Sequence, residues 1–132
     1  MKQVRAVVIG LMLTLVVMLT GCSGSMGTLS GNYTQDTLNL VQTLRQAVAL
    51  PEDDPHKAEF QTAAREQIND FAARYRRDGG IAGLLSFTTM RTALNALAGH
   101  YSSYPGRPIP EKLKNRITEQ LDQVELALKR GN

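Results

Sequence analysis

The chain has 132 residues, with 15 basic and 12 acidic side chains and a formal net charge of +3. This length suits one domain of ordinary size and is too short for two. Basic residues are interleaved with acidic ones and aromatic residues make up only 5% of the chain, which excludes the basic, aromatic-rich surface typical of nucleic-acid binding, so we expect no nucleic-acid partner.

Residues 1–21 have the pattern of a secretory signal peptide. Lys2 and Arg5 form a short basic region, and the fourteen residues 6–19 are almost entirely apolar. A membrane-spanning helix needs about 20 apolar residues, so we interpret residues 1–21 as a signal that is removed on export. Without its two cations the chain keeps 13 basic and 12 acidic side chains, a net charge of +1.

Cys22 is the only cysteine and ends the stretch LTGC, directly after the apolar region. One cysteine has three fates: a free thiol, an intermolecular disulfide or a covalent modification. Leu-x-Gly-Cys at this place is the lipobox of bacterial lipoproteins, in which the thiol receives diacylglycerol; the alternative is an ordinary cleavage site near which the cysteine happens to lie. We predict lipidation of Cys22, a flexible tether over residues 22–31 and a helical domain over residues 32–132.

The first predicted helix extends from about Thr34 to Ala49. Asn32 or Thr34 can cap its first turn, and Asp36 complements the positive end of the helix dipole. The apolar residues recur at spacings of three and four, which predicts one buried stripe. This stripe consists of Leu38, Val41, Leu44 and Val48.

The second helix is predicted to start at Asp54 and Pro55, the arrangement of an N-cap followed by proline at the first helical position. It ends before residues 78–80, Asp-Gly-Gly. Its apolar stripe consists of Phe60, Ala64, Ile68 (or Gln67), Phe71 and Tyr75.

The third helix is predicted to begin with Ser86 as its N-cap, and the fourth to begin at about Pro110 and end at Gly131. Between them, residues 102–110 contain three prolines and form a stiff connector. The stripe of the third helix consists of Phe87, Met90, Leu94, Leu97 and Tyr101, and that of the fourth of Leu113, Ile117, Leu121, Val124 and Leu128. Four helices with short links favour an all-α, up-down-up-down four-helix bundle.

The sequence carries little catalytic chemistry. His56 and His100 lie on different segments, outside any pattern that places two metal ligands on one helix face. The acidic residues 52–54 could bind a cation, but a role at the helix start explains them with fewer assumptions. We therefore predict no catalytic residues, no metal site and no cofactor, and that the protein is not an enzyme.

Two groups of exposed charged residues are candidates for binding a protein partner. Arg76, Arg77 and Asp78 follow the second helix, where a solvated helix end and a docking site are equally good interpretations. Arg116 and Glu119 lie three residues apart and off the apolar stripe of the fourth helix, so they face outward, either as a surface pair or as part of an interface.

Three blocks of this sequence resemble the photosystem II assembly and repair lipoproteins of cyanobacteria, the Psb27 family. The blocks are residues 31–55, 73–80 and 86–117, and the preceding LTGC fits the cyanobacterial branch. The likeness covers essentially the whole domain after the signal.

The resemblance implies a monomeric four-helix lipoprotein, held by its lipid anchor on the lumenal side of the thylakoid membrane. It implies transient binding to immature photosystem II, chiefly to the lumenal loop of the smaller chlorophyll-binding core antenna subunit, before the manganese cluster and extrinsic proteins assemble. The family has no catalytic residues that the resemblance could assign to this chain. The alternatives are a general cell-envelope lipoprotein with a structural or adaptor role, and a small hydrolase or metal-binding protein.

Overall fold

The computed structural model describes residues 29–132, which form four helices. These are α1 (Tyr33–Ala49), α2 (Lys57–Tyr75), α3 (Leu85–Ser103) and α4 (Glu111–Lys129). Each helix packs against the next one in the chain, and α1 also packs against α4, which closes a ring of four. The predicted all-α four-helix bundle is confirmed. The predicted signal peptide, Cys22 and the tether up to residue 28 lie outside the described residues.

Helix α1 begins as the sequence predicts, because the Asn32 side chain accepts a hydrogen bond of 3.0 Å from the backbone N–H of Gln35. The buried stripe differs from the prediction in its first turn. Leu40 is buried, whereas Leu38 is 38% exposed. Thr37 takes the buried place three residues before Leu40, and its hydroxyl donates to the Tyr33 carbonyl at 2.6 Å, so a polar side chain is accommodated inside.

Helix α2 starts later than the sequence predicts. The Asp54 carboxylate accepts a hydrogen bond of 2.8 Å from the N–H of His56, and its carbonyl accepts one of 3.1 Å from the N–H of Lys57. These bonds close a turn, so the helix begins at Lys57 and Asp54 is not its N-cap. The predicted core residues after the first turn are buried, whereas Phe60 is half-buried.

Helix α3 corrects the role predicted for Ser86. The N-cap position is held by Leu84, whose carbonyl accepts a hydrogen bond of 3.0 Å from Thr88. Ser86 is fully buried inside the first turn, where its hydroxyl lies 2.9 Å from the hydroxyl of Tyr33. The predicted stripe of α3 is confirmed as buried: Phe87, Met90, Leu94, Leu97 and Tyr101.

The connector before α4 contributes to the core, since Ile109 is only 4% exposed. Helix α4 begins after Pro110, as predicted, and ends with Gly131 at a φ of +76°. The N–H of Gly131 donates to the Leu128 carbonyl at 3.1 Å, and that of Asn132 to the Ala127 carbonyl at 3.0 Å. This is the Schellman arrangement, which requires a left-handed residue that glycine supplies without strain.

Aliphatic side chains from all four helices fill the bundle, and four aromatic rings gather at one end of it, those of Tyr33, Phe71, Tyr75 and Phe87. The Phe71 ring centroid lies 6.1 Å from Tyr33, 5.1 Å from Tyr75 and 6.1 Å from Phe87. Such separations suit tilted and offset aromatic pairs, which add to the stabilisation from burial. No helix within residues 29–132 has the length and apolarity needed to cross a bilayer.

Candidate docking surface

Three hydrogen bonds bring the ends of distant segments together at the aromatic end of the bundle. The Tyr75 hydroxyl donates to the Asp36 carboxylate, which joins the end of α2 to the start of α1. The hydroxyl pair of Tyr33 and Ser86 joins α1 to α3, and the N–H of Ser86 donates to the Asn132 carbonyl at 3.4 Å. We call this region, where the described chain begins, the entry end.

Asp36 is the polar centre of the entry end and is 2% exposed. Its carboxylate accepts hydrogen bonds from the backbone N–H and hydroxyl of Ser30, both at 2.7 Å, from the N–H of Gly31 at 3.2 Å and from the Tyr75 hydroxyl. Burial opposes ionisation of this carboxyl, but the hydrogen bonds outweigh burial and lower its pKa. Burial, together with the Asp36 carboxylate, raises the pKa of Tyr75 to about 12, so its hydroxyl stays a donor.

The contacts of Asp36 hold the last residues of the predicted tether against the bundle. Ser30 and Gly31 bond to the carboxylate, and Leu29 packs against the core. From the sequence alone, Asp36 is expected only to complement the helix dipole. The Ser-Gly-Asn pattern before the helix could have indicated the local bonds to the Asp36 carboxylate. The partner Tyr75 lies 39 residues away, so local spacing does not reveal it.

Arg76, Arg77 and Asp78 follow α2 directly at the entry end, and all three are exposed. Neither arginine forms an ion pair with another residue in the range 29–132. The Asp78 carboxylate accepts the N–H of Gly80 at 3.0 Å, and its carbonyl accepts the N–H of Ala82 at 2.8 Å. Asp78 therefore shapes the turn, while both guanidinium groups remain available to a partner.

Arg116 and Glu119 are both exposed on α4, as the sequence predicts, but they do not form an ion pair with each other. Arg116 lies thirteen residues before Lys129 at the entry end, which is about 20 Å along the helix axis. Helices α2 and α4 occupy opposite corners of the ring and do not pack against each other. The two predicted groups are thus separate patches.

The ion pairs of α4 involve other residues. Arg45 of α1 lies 2.6 Å from Asp122 and 3.3 Å from Glu125, and both carboxylates raise the pKa of its guanidinium. Lys114 pairs with Glu111 at 3.3 Å. Arg116 and Glu119 therefore form no ion pair within the described part of the chain.

A groove between α2 and α3, about 470 Å³ in volume, was not found from the sequence. It is lined by Arg65, Ile68, Asn69, Ala98, Tyr101, Ser102 and Pro105. The helical period predicts Tyr101 only as a core residue, and nothing in the local sequence distinguishes Arg65 from other exposed arginines. Arg65 and Tyr101 are 36 residues apart in the chain, and they come into contact because α2 packs against α3.

Residues 29–132 contain no group of three or more His, Cys, Asp or Glu side chains placed to hold a metal ion. His56 contacts Glu59 at 3.6 Å, and His100 contacts the Arg107 carbonyl at 3.3 Å, in separate parts of the bundle. In the acidic segment, Glu52 pairs with Lys57, and Asp54 forms the turn before α2. Within residues 29–132, the two histidines and the acidic segment therefore make local contacts in separate places.

The chain is similar over most of its length to known proteins. The family described as Photosystem II Pbs27 matches residues 4–128. The photosystem II assembly factor lipoprotein Psb27 of Thermosynechococcus vestitus is 54% identical over 98% of this chain and 97% of its own. The photosystem II lipoprotein Psb27 of Synechocystis is 50% identical over 99% of this chain and 97% of its own. The photosystem II repair protein PSB27-H1 of Arabidopsis thaliana is 38% identical over 75% of this chain and 58% of its own.

Solved structures agree with the bundle. The solution structure of Psb27 from cyanobacterial photosystem II has a TM-score of 0.76 at 54% identity and covers 85% of this chain and 96% of its own. The crystal structure of PSB27 from Arabidopsis thaliana has a TM-score of 0.73 at 38% identity, with coverages of 76% and 98%. On the family match and these identities, the chain belongs to the Psb27 family.

Proposed function

We propose that this chain is an assembly and repair factor of photosystem II. The family match over residues 4–128 is the observation that carries this proposal. The names of three relatives concern assembly of that complex, its repair and, at 30% identity in Arabidopsis thaliana, processing of the D1 precursor. The relatives thus share one complex and differ in the step that their names give.

In this proposal the protein is a monomer that binds immature photosystem II transiently. Its chief contact is the lumenal loop of the smaller chlorophyll-binding core antenna subunit, before the manganese cluster and extrinsic proteins assemble. It acts by occupancy: a rigid bundle holds the loop and then dissociates, without chemistry of its own. Mixed surface charge supports polar, reversible contacts, whose strength depends on complementarity more than on area.

Lipidation of Cys22 would hold the bundle on the lumenal face of the thylakoid membrane, after removal of residues 1–21. Cys22 precedes Leu29 by seven residues, a length of chain that reaches at most about 25 Å. Because Ser30 is bonded to Asp36, the entry end is the part of the bundle nearest the anchor. Arg76 and Arg77 thus lie on the membrane-proximal side of the proposed complex.

Arg76, Arg77 and Asp78 form one proposed contact, and Arg116 with Glu119 forms the other. Planar guanidinium groups bind carboxylates through paired hydrogen bonds, which gives both affinity and orientation. Since Arg116 is about 20 Å from the entry end along α4, a partner that touches both patches must extend over a large part of the bundle. The two patches should then contribute independently to the binding free energy.

Charge reversal tests these contacts. We expect Arg76→Glu with Arg77→Glu to weaken co-purification with photosystem II assembly intermediates by at least about tenfold, with Arg116→Glu adding its own loss. Arg91→Glu is the matched control, because Arg91 is exposed on α3 and has no ion pair among residues 29–132. Unchanged co-purification of the double variant would remove the entry-end patch from the interface.

Cys22→Ala tests the anchor separately from recognition. The variant should fold and still bind purified intermediates, but it should leave the membrane fraction and associate less efficiently in cells, since tethering raises the effective concentration toward partners in the same membrane. Fractionation of the wild-type protein also tests the location. Recovery in the cytoplasmic or outer membrane, with no photosystem II subunits, would favour a general envelope lipoprotein instead.

A further inference from the structure

The groove between α2 and α3 has a positively charged wall whose charge is not neutralised within residues 29–132. Arg65 is exposed and forms no ion pair there. Its neighbours three and four positions away along α2 are Gln61, Thr62, Ile68 and Asn69, none of which carries a charge. The usual intrahelical partner of an exposed arginine is therefore missing.

The Arg65 side chain is nonetheless held in place. Its Nη2 donates a hydrogen bond of 3.1 Å to the Tyr101 carbonyl, and its guanidinium carbon lies 5.3 Å from the centroid of the Tyr101 ring. A guanidinium has five N–H donors, so most of them remain free after this bond. A cation that is already oriented loses less side-chain entropy when it binds an anion.

Tyr101 supplies a second unsatisfied group at the same place. Its side chain is 4% exposed, and its hydroxyl has no hydrogen-bond partner among the described residues. Burial raises the pKa of this hydroxyl to about 12, against the opposing effect of Arg65, so the group carries its proton at neutral pH. A buried hydroxyl without a partner costs stability and is uncommon in native proteins.

We infer that the groove binds an acidic side chain of a protein partner, whose carboxylate pairs with Arg65 and whose aliphatic stem lies against Ile68, Ala98 and Pro105. The free guanidinium donors match a carboxylate, and Asn69 and Ser102 add polar groups at the rim. Tyr101 lines the same groove, and its hydroxyl, which has no partner among the described residues, offers a further donor to the carboxylate. This inference extends the proposed function by adding a third contact to the two charged patches.

Binding to purified photosystem II assembly intermediates tests the inference with three variants of the mature protein. Arg65→Gln keeps the length and polarity but removes the charge, and it should weaken binding by at least about tenfold. Arg65→Lys should restore part of this loss, because it returns the charge without the planar fork. Arg91→Gln, on the exposed face of α3, should bind as the wild type does.

Tyr101→Phe separates a binding role from a structural one. Removal of an unsatisfied buried hydroxyl should leave the thermal midpoint unchanged or raise it, yet weaken binding by about threefold to tenfold. A tyrosine that serves only the core would show no loss of affinity. Equal affinity of wild type, Arg65→Gln and Tyr101→Phe would overturn the inference, while binding of the wild type itself would leave the proposed function standing.

A nuclear magnetic resonance titration tests the groove without photosystem II. The probe is N-acetylglutamate amide, with N-acetylglutamine amide as its uncharged isostere. At millimolar concentrations only the glutamate probe should shift the side-chain resonance of Arg65 and the amide resonances of Tyr101 and Ser102. Equal shifts with both probes, or shifts at Arg91 as large as those at Arg65, would contradict a specific carboxylate site.

Discussion

The hydroxyl of Tyr75 at the end of α2 donates a hydrogen bond to the buried carboxylate of Asp36 in the first turn of α1, across 39 residues of chain. The same carboxylate holds Ser30 and Gly31. One side chain therefore joins the first two helices and also fixes where the chain leaves the bundle on its N-terminal side. The direction in which a lipid anchor would hold the domain depends on it.

Replacing Asp36 by asparagine should lower the free energy of unfolding by about 1–3 kcal/mol, because an amide provides one acceptor oxygen where the carboxylate provides two. Urea denaturation measures the loss, and amide hydrogen exchange should show that Ser30 and Gly31 lose protection. Asp70→Asn is the matched control, since Asp70 is exposed on α2. Equal stability of the two variants would show that the carboxylate is not needed.

The stability of the wild type should depend on pH through Asp36. Its pKa is lowered in the folded protein, so the stabilisation is fully present above the unfolded value of about 4 and is lost as the pH falls through the folded value. Denaturation midpoints between pH 2 and 5 should therefore fall more steeply for the wild type than for Asp36→Asn. Parallel curves would contradict a lowered pKa at this site.

Two leucines of α4 should respond very differently to truncation. Leu121 is fully buried, and Leu121→Ala should cost about 2–5 kcal/mol through lost burial and the cavity that remains. Leu126 is 47% exposed, and Leu126→Ala should change stability by no more than about 0.5 kcal/mol. Thermal or urea unfolding of both variants measures the difference, and similar losses would mean that α4 is rotated from the position described.

Two glycines should respond with opposite signs when replaced by alanine. Gly131 has a φ of +76° after α4, and a Cβ atom there should cost about 1 kcal/mol. Gly99 lies inside α3, has no atom within 4 Å of an added Cβ and should gain about 0.5–1 kcal/mol from the better helix propensity of alanine. Denaturation of both variants gives the comparison; a loss at Gly99→Ala would point to an unseen contact.

Local sequence was sufficient to predict the four helices and most of their buried faces. The cap at Asn32, the burial of Phe71, Met90 and Leu121 and the glycine after α4 follow from interactions within a few residues. A period of 3.6 residues and the chemistry of helix ends depend only on neighbours along the chain, so a single sequence carries them. The exposure of the two candidate arginine patches follows from the same periodicity.

Only the tertiary structure decided which polar groups meet. Serine is common at helix N-caps, but Ser86 is buried against Tyr33, 53 residues away. Leu38 is displaced from the core by the rotation of α1. Asp36 lies where an acidic residue complements the helix dipole, but its carboxylate also accepts the hydrogen bonds that join the segments of the entry end. Arg65 contacts Tyr101 only because α2 packs beside α3. Helix rotation and pairing are set by packing over the whole bundle, since a local pattern specifies a face and does not specify its neighbour.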